Sequence, residues 1–257
     1  MEEGFSYPDY FARFYDVIYA QLRTIDRDYF LRKIHETNGP VLEIGVGTGR
    51  LFVDALNAGA DVYGVDISAS MLDQLKAKVD PKHHHRICCQ DARSLRLNRT
   101  FDLILAPARV FSHLLEIDDQ LRALDSVYEH LNPGGRFIFD VFVPNLDLLL
   151  HGVNEQFDFD GEYAPGKRVK RVISSKSDLV NQISHITMTL TWDEDGAVKS
   201  RTWQTPMRFF FRYELEHLIR RTKLKLINIF GDYEEHELGS QSTDFVVVCE
   251  RPSSTHS

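Results

Sequence analysis

The sequence predicts an α/β fold in which a seven-stranded mixed sheet, with its last strand antiparallel, is flanked by helices and carries an inserted antiparallel three-stranded β cover. Three observations support this prediction. Short apolar strands alternate with helices over residues 40–143, three β-rich runs without helices follow, and a helix with two strands ends the pattern. Alternating strands and helices are typical of a parallel sheet with right-handed crossovers. With 257 residues, 43% of them hydrophobic, the chain is long enough to bury such a core without disulfides or a structural metal.

The N-terminal region is predicted to form helices over residues 8–37. Aromatic and aliphatic residues recur there at spacings of three and four, which gives one apolar face. The residues of this face are Tyr10, Phe11, Phe14, Tyr15, Ile18, Tyr19 and Leu22. A second helix, from about Asp26 to Thr37, ends at Asn38-Gly39-Pro40, which is a strong stop signal. We expect residues 1–37 to form a helical cap.

The alternating region predicts five strands with helices between them. The predicted strands are Val41–Ile44, Asp61–Val65, Arg86–Cys89, Phe101–Ala106 and Arg136–Val143. The predicted helices are Leu51–Ala58, Ser68–Val79 with Ser68 as its N-cap, and Asp119–Leu131. A tight Asn-Pro-Gly-Gly turn over residues 132–135 leads into the fifth strand.

The pattern then changes to β-rich runs over residues 167–175, 180–192 and 198–211, which predict an antiparallel meander. Tyr213–Thr222 is expected to be a helix, and Leu224–Phe230 and Phe245–Glu250 are expected to be the sixth and seventh strands. Their short connection predicts a hairpin, so the last strand should run antiparallel to the others. Residues 38–150 and 212–251 would form the core, residues 151–211 an insertion, and residues 252–257 a tail.

The composition restricts the partners and the compartment. A formal net charge of −8 repels phosphate backbones and anionic membranes, so we expect no nucleic-acid or membrane partner. Three cysteines without a spaced framework suggest reduced thiols in the cytoplasm, and the adjacent Cys88 and Cys89 are expected to fill the core on an inner strand. The acidic, aromatic N-terminus does not look like a signal peptide, and no stretch approaches the ~20 apolar residues of a membrane helix.

The sharpest local signal is a glycine-rich turn in the segment VLEIGVGTGR, residues 41–50. A buried strand leads into Gly45, Gly47 and Gly49, and a helix follows. Glycine allows a tight turn and a close approach of the backbone to a ligand, and the helix N-terminus adds free N–H groups. Glu43 lies just before the first glycine. A plain strand-to-helix turn is the alternative interpretation.

Two acidic residues end the next two predicted strands. Asp66 occurs in GVDIS, where an acid can accept hydrogen bonds from both hydroxyls of a ribose. Asp91 occurs in QDA, where an acid can accept from the exocyclic amine of adenine. Either acid alone is more typical of a solvated loop. Because ligands of open α/β sheets bind at the carboxyl ends of the strands, the turn and both acids should border one crevice.

The segments VLEIGVGTG, GVDIS and QDA together resemble the first motifs of class I S-adenosylmethionine (SAM)-dependent methyltransferases. The later segment NPGGRFIFDVF is similar to the strand-five segment of that family. The resemblance implies a Rossmann-like core over roughly residues 38–143 and 212–251, with SAM as cofactor and S-adenosylhomocysteine (SAH) as product. The aromatic first helix and the insertion resemble, more loosely, the small-molecule subgroup that includes glycine N-methyltransferase and the amino-sugar N-methyltransferases.

The resemblance also implies which residues contact SAM, with the cap over the cofactor and the insertion as a substrate lid. They are Glu43, Gly45, Gly47, Gly49, Asp66, Ile67, Met71, Asp91, Ala92, Ala106, Tyr15 and Tyr19. In that arrangement Asp66 would hold the ribose, Asp91 would meet the adenine amine, and Ala106 would lie beside the sulfonium.

Residues after the fourth and fifth strands and at the end of the insertion are candidates for contact with the methyl acceptor. His113 is a candidate general base, because imidazole takes up a proton near neutral pH. The substrate candidates are Arg109, Asp140, Phe142, Arg208, Phe209 and Phe211. Ion pairing or core packing is the alternative for each. The run His83 to His85 does not have usual metal-ligand spacing, and we expect no metal.

A nicotinamide-dependent dehydrogenase is a competing interpretation of the glycine turn. One residue separates Gly47 from Gly49, where the dinucleotide fingerprint has two, and Glu43 would repel a pyrophosphate. The resemblance to the methyltransferases instead implies an enzyme that moves a methyl group from SAM to a nitrogen or oxygen of a small molecule by in-line displacement. Methylation of a protein or RNA, and a non-catalytic SAM- or SAH-binding protein, stay open as alternatives.

Overall fold

The computed structural model describes residues 7–22 and 24–253. Two helices precede the sheet, α1 (Asp9–Leu22) and α2 (Ile25–His35), at the positions that the aromatic periodicity and the Asn-Gly-Pro signal predict. Acidic residues in the first turn of α2 and basic residues in its last turn match the polarity of the helix dipole. The predicted tail lies mostly outside the described residues, since only 252 and 253 are described.

The alternating region folds as β1 (Val41–Ile44), α3 (Phe52–Asn57), β2 (Val62–Asp66), α4 (Ala69–Lys76), β3 (Ile87–Cys89), β4 (Phe101–Ala106), α5 (Ile117–His130) and β5 (Leu131–Phe142). The first four strands begin within one residue of their predicted positions. β5 begins at Leu131 rather than Arg136, so the Asn-Pro-Gly-Gly segment that was predicted as a turn lies within the strand. Ser68 caps α4, because its hydroxyl accepts a hydrogen bond from the backbone N–H of Met71.

The insertion contains a short helix and four strands rather than the predicted three. They are α6 (Leu146–His151), β6 (Val153–Ala164), β7 (Lys167–Asp178), β8 (Ile183–Glu194) and β9 (Ala197–Arg208), and the strands form one antiparallel sheet in this order. The prediction missed β6 because its acidic residues and glycine mask the alternating pattern. As an edge strand it pairs through its backbone, and only Phe159 and Gly161 of its twelve residues are buried.

The chain ends with α7 (Arg212–Arg220), β10 (Lys225–Phe230) and β11 (Asp244–Glu250). The main sheet has the order β10-β11-β5-β4-β1-β2-β3, and β11 runs antiparallel to both of its neighbours. The seven-stranded mixed sheet with a reversed last strand is therefore confirmed. The order also corrects one prediction. β3 is an edge strand, so Cys89 is exposed and Cys88 only partly buried, whereas Cys249 on β11 is buried.

Two apolar layers cover the main sheet, one beneath α5 and α7 and the other beneath α2 and α3. A third cluster joins α1 to the four-stranded sheet, where Phe11 and Phe14 pack against Trp192 and Trp203. The apolar face of α1 is thus buried against the insertion. In the part of the chain that the structure describes, no helix combines the length and the apolar character needed to cross a membrane.

Candidate functional site

A cavity opens at the carboxyl ends of β1 to β4, beneath α1. It spans about 1200 Å³, a volume that includes space open to solvent. Its wall contains many residues that the sequence singled out, on four strand ends and α1. They are Tyr15, Gly45, Gly47, Asp66, Ile67, Met71, Asp91, Ala92, Ala106 and His113. The structure therefore brings these residues together around one space.

The wall also contains residues that the sequence reasoning did not select. Most lie in the loop after β4, on α5 or next to Asp91. They are Tyr7, Ile44, Val65, Ser68, Gln90, Arg93, Ala108, Val110, Phe111, Leu114, Asp119, Ala123, Val127 and Phe137. The position of the loop after a central strand was a usable signal, because such loops border the ligand crevice in open α/β sheets.

The glycine turn has left-handed backbone at each glycine, with φ of 72° at Gly45, 54° at Gly47 and 88° at Gly49. A Cβ on Gly45 would lie 2.4 Å from Cγ2 of Val110, so this glycine lets the loop after β4 pack on the turn. A Cβ on Gly47 would come no closer than 3.9 Å to its nearest neighbour, and bare backbone therefore forms this part of the cavity wall. Gly49 instead accommodates Leu75 of α4 and does not line the cavity.

Asp66 links the ends of β1 and β2. Its Oδ2 accepts a hydrogen bond from the N–H of Gly47 at 2.8 Å, and its Oδ1 accepts one from the N–H of Ser68 at 2.8 Å. Burial raises the pKa of Asp66 above its ordinary value, and these backbone amides oppose that rise. The carboxylate thus fixes the glycine turn while one side of it borders the cavity.

Asp91 lies in a charged cluster at the other end of the cavity. Nε and Nη2 of Arg93 donate to Asp91 at 2.6–3.0 Å, and Nη1 of Arg93 donates to Asp119 on α5 at 2.6 Å. Burial opposes the ionisation of Asp91, but the hydrogen bonds from Arg93 outweigh it and lower the pKa of this carboxyl. Asp91 is therefore ionised near neutral pH and is paired with the guanidinium of Arg93, which also lines the cavity.

Comparison with known proteins relates this geometry to methyltransferases. Residues 41–135 match a protein family described as a methyltransferase domain, and that span contains the glycine turn, Asp66 and Asp91. An uncharacterized methyltransferase of Bacillus mycoides (strain KBAB4) is 32% identical over 131 residues, which cover 51% of this chain and 60% of that relative. The match thus spans about three fifths of the relative's length.

Solved structures share the fold of this chain, including its insertion. A S-adenosylmethionine-dependent methyltransferase from Clostridium acetobutylicum ATCC 824 has a TM-score of 0.77 at 21% identity, with 95% of this chain and 99% of the other covered. SAM-bound CalS10, an amino pentose methyltransferase from Micromonospora echinaspora, has a TM-score of 0.69 at 16% identity, with coverage of 98% and 100%. The sugar N-methyltransferase KedS8 from Streptoalloteichus sp. has a TM-score of 0.74 at 16% identity, with coverage of 93% for both chains.

Gly45→Ala tests the packing of the glycine turn. The new Cβ would meet Val110, and alanine is disfavoured at φ of 72°. We expect SAH affinity, measured by calorimetry, to fall about 30-fold from the combined backbone and overpacking costs. Gly59→Ala is the matched control, since it has φ of 88° with no neighbour within 4 Å of the new Cβ. Wild-type affinity in Gly45→Ala would contradict the close packing of the turn.

Glu43 lies behind the glycine turn and is not among the described residues that line the cavity, although the sequence placed it with them. It is buried, and its Oε2 accepts no hydrogen bond within the described chain. Burial raises the pKa of Glu43 to about 8; the charge of Arg50 lowers it and that of Asp66 raises it. The side chain is therefore largely protonated at neutral pH, and its contact with SAM stays a prediction.

Glu43→Gln should change how stability depends on pH. Between its ordinary value of 4.5 and about 8, the folded chain keeps the Glu43 proton that the unfolded chain has lost. The free energy of unfolding of the wild type therefore falls as pH rises through this window. Glutamine removes this loss, so the variant should gain on the order of 1–3 kcal/mol over wild type between pH 5 and 8, measured by urea unfolding. Glu129→Gln, on an exposed helix position, is the control. Parallel pH curves for Glu43→Gln and wild type would contradict the assignment.

Tyr15 of α1 lines the cavity, whereas Tyr19 of the same helix lies behind Tyr15 and does not line it. The Tyr19 hydroxyl accepts a hydrogen bond from Nη1 of Arg171 at 3.1 Å, and its ring centroid lies 4.5 Å from that of Tyr15. Arg171 is buried and paired with Asp158 at 2.7 Å. Tyr19 therefore connects the cavity wall to the insertion rather than lining the cavity.

Among the residues predicted near the acceptor, His113 lines the cavity and the other six do not. The ring of His113 lies 6.2 Å from that of Tyr7 in an edge-on arrangement. Arg109 pairs with Asp244 at 3.0 Å, Asp140 is buried, and Phe142 lies beneath the Arg109 guanidinium at 5.4 Å.

The three candidates at the end of the insertion join it to the core. Arg208 donates to the carbonyl of Leu115 at 3.1 Å and pairs with Glu214 at 3.0 Å. Phe209 is buried, and Phe211 is 46% exposed at the start of α7. Their roles toward an acceptor stay predictions that the geometry does not favour.

The histidine run forms a short 3₁₀ helix over Pro81–Arg86. Nε2 of His84 lies 3.0 Å from the carbonyl oxygen of Lys76, and Nδ1 of His85 lies 2.7 Å from that of Lys82. One ring nitrogen of His84 and one of His85 are thus hydrogen-bonded to carbonyl oxygens of nearby residues. Across residues 7–22 and 24–253, no group of three or more metal-ligating side chains comes together.

Proposed function

We propose that this protein transfers a methyl group from SAM to a nitrogen or oxygen of a small-molecule acceptor. One observation carries the proposal: the glycine turn, Asp66, Asp91 and His113 all border a single cavity beneath α1. In this proposal SAM would lie along the ends of β1 to β3, and His113, in the loop after β4, would face the acceptor.

The chemistry of the cavity wall fits SAM. Bare backbone at Gly47 offers space for the methionine part, the Asp66 carboxylate offers acceptors for the ribose hydroxyls, and Asp91 offers one for the adenine amine. Ile67 and Met71 add apolar surface for the adenine ring. SAM supplies a methyl group that is already activated on a sulfonium. SAM carries no phosphate, whereas a dinucleotide carries an anionic pyrophosphate. Acidic side chains in the cavity wall therefore favour SAM over a dinucleotide.

A partly covered site supports a small acceptor over a macromolecule. Tyr7 and Tyr15 cover the cavity, and α1 is itself buried against the insertion through Phe11 and Phe14. A protein or RNA chain would need an open path to the same strand ends, and the net charge of −8 disfavours RNA. The fold shared with CalS10 and KedS8 supports testing amines among the first acceptors.

The residues of the site would align the acceptor and remove its proton. Transfer needs the acceptor atom in line with the methyl group, and positioning alone can lower a barrier by roughly 7–11 kcal/mol at best. Ala106, a small residue at the end of β4, leaves room next to the reacting atoms. Tyr7, Tyr15 and Phe111 would exclude water. His113 would accept the proton that an ammonium or hydroxyl acceptor must lose.

Calorimetric titration with SAH and with NAD tests the cofactor. We expect SAH to bind in the micromolar range and NAD to give no heat of binding. NAD binding without SAH binding would instead support a dehydrogenase. Transfer from methyl-labelled SAM to a panel of small amines and alcohols then tests catalysis. SAH binding with label transferred only to protein or RNA, or to no acceptor, would favour one of the two alternative functions.

A further inference from the structure

Two segments distant in sequence meet at the carboxylate of Asp140 on β5. Asp140 is completely buried, and its side chain does not line the cavity. Its Oδ1 accepts a hydrogen bond from the backbone N–H of Arg109 at 3.2 Å, and its Oδ2 accepts one from the hydroxyl of Tyr233 at 2.8 Å. A buried carboxylate is costly unless such partners satisfy it, so this arrangement needs a structural or functional reason.

The backbone that Asp140 holds is strained. Ala108 and Arg109 have φ of 59° and 64°, a left-handed conformation that residues other than glycine rarely adopt. Such a conformation persists only where the surrounding contacts enforce it. The Arg109 guanidinium also helps to hold this conformation, because it forms an ion pair with Asp244 at 3.0 Å. The Tyr233 hydroxyl lies 3.4 Å from the same carboxylate.

Tyr233 is a hydrogen-bond donor in this network. Burial, together with the charges of Asp140 and Asp244, raises the pKa of Tyr233 far above its ordinary value. The phenol therefore keeps its proton at any physiological pH, and Asp140 accepts from it.

The strained segment continues directly into the cavity wall. Ala108, Val110 and His113 line the cavity, and Val110 packs on the glycine turn at Gly45. One side of the loop after β4 thus touches the ligand space while its other side is fixed by Asp140. A shift of Arg109 would move Val110 and the 3₁₀ turn Val110–His113 that follows.

We propose that Asp140 is a positioning residue, which holds Ala108 and Arg109 in their left-handed conformation and thereby places Val110 and His113 in the wall of the methyl-transfer site. The methyl-transfer part of this inference rests on the proposed function. Asp140 does not touch the ligand space itself, and it acts through the amide of Arg109.

Three variants of the full chain test this role by SAH calorimetry and by hydrogen exchange of residues 107–114. Asp140→Leu fills the space but cannot accept a hydrogen bond, so we expect SAH affinity to fall about tenfold and exchange in this loop to accelerate. Asp140→Asn keeps an oxygen toward the Arg109 amide and should rescue affinity to within about threefold of wild type. Tyr233→Phe, which removes one partner of Asp140, should give a smaller acceleration of exchange and about a twofold loss of affinity.

The outcomes separate this inference from the proposed function. Wild-type SAH affinity and wild-type loop exchange in Asp140→Leu would overturn the positioning role while leaving the proposed function intact. A wild-type protein that binds no SAH would contradict the proposed function, whereas loop exchange measured without ligand would still report on Asp140. Should Asp140→Leu fail to fold, unchanged exchange of residues 107–114 in Tyr233→Phe would overturn the role.

Discussion

Replacing Asp66 with alanine is expected to weaken SAH binding about 100-fold, because hydrogen bonds to a charged group contribute about 1.5–3 kcal/mol each. Two effects add in this variant. The proposed bonds to the ribose hydroxyls disappear, and the N–H groups of Gly47 and Ser68 lose an acceptor at 2.8 Å. The second effect loosens the glycine turn, so the loss should exceed that expected from the ribose contacts alone.

Two further variants separate these effects. Asp66→Asn keeps an acceptor oxygen but lacks the charge, and we expect it to lose about tenfold in SAH affinity. Asp73→Ala, at an exposed position on α4, is the control for removal of an acid near the site. Calorimetry gives the affinities, and urea unfolding shows whether each variant remains folded. An Asp66→Ala protein with wild-type SAH affinity would show that the ribose lies elsewhere.

The main sheet was largely predictable because each strand is a short apolar run between turn signals. The glycine turn, Asp66 and Asp91 each follow such a strand, and parallel strands bring their carboxyl ends to one edge. Their meeting around one cavity therefore followed from local patterns. The edge strand β6 was not predictable in this way, since only Phe159 and Gly161 of its twelve residues are buried and its pairing with β7 depends on backbone bonds.

The individual contacts of the site were less predictable, because a residue's neighbours in sequence do not determine which face it occupies. Glu43 and Ile44 are adjacent on β1, yet only Ile44 lines the cavity, since successive side chains of a strand point to opposite faces. Asp140 and Phe139 are likewise adjacent on β5 and point to opposite faces of the sheet, and Phe139 packs in the cluster beneath α5 and α7. The ion pair between Arg109 and Asp244 spans 135 positions and left no local signal.

His113→Ala is expected to lower kcat about 100-fold or more while SAH affinity stays within about threefold of wild type, because a general base contributes about 10²–10⁴ in rate. His113 lies in the cavity wall on the turn after β4, on the proposed acceptor side of Ala106. The split between kcat and affinity separates a base from a wall residue, since loss of packing against Tyr7 would weaken binding as well.

Rescue by an added base gives an independent test of the same residue. Added imidazole should restore part of the rate to His113→Ala, because the truncated side chain leaves space for it. Full turnover of the variant at every pH would mean that the acceptor arrives already deprotonated. His113 would then serve to pack Tyr7 over the cavity, and alignment by the loop after β4 would account for the catalysis.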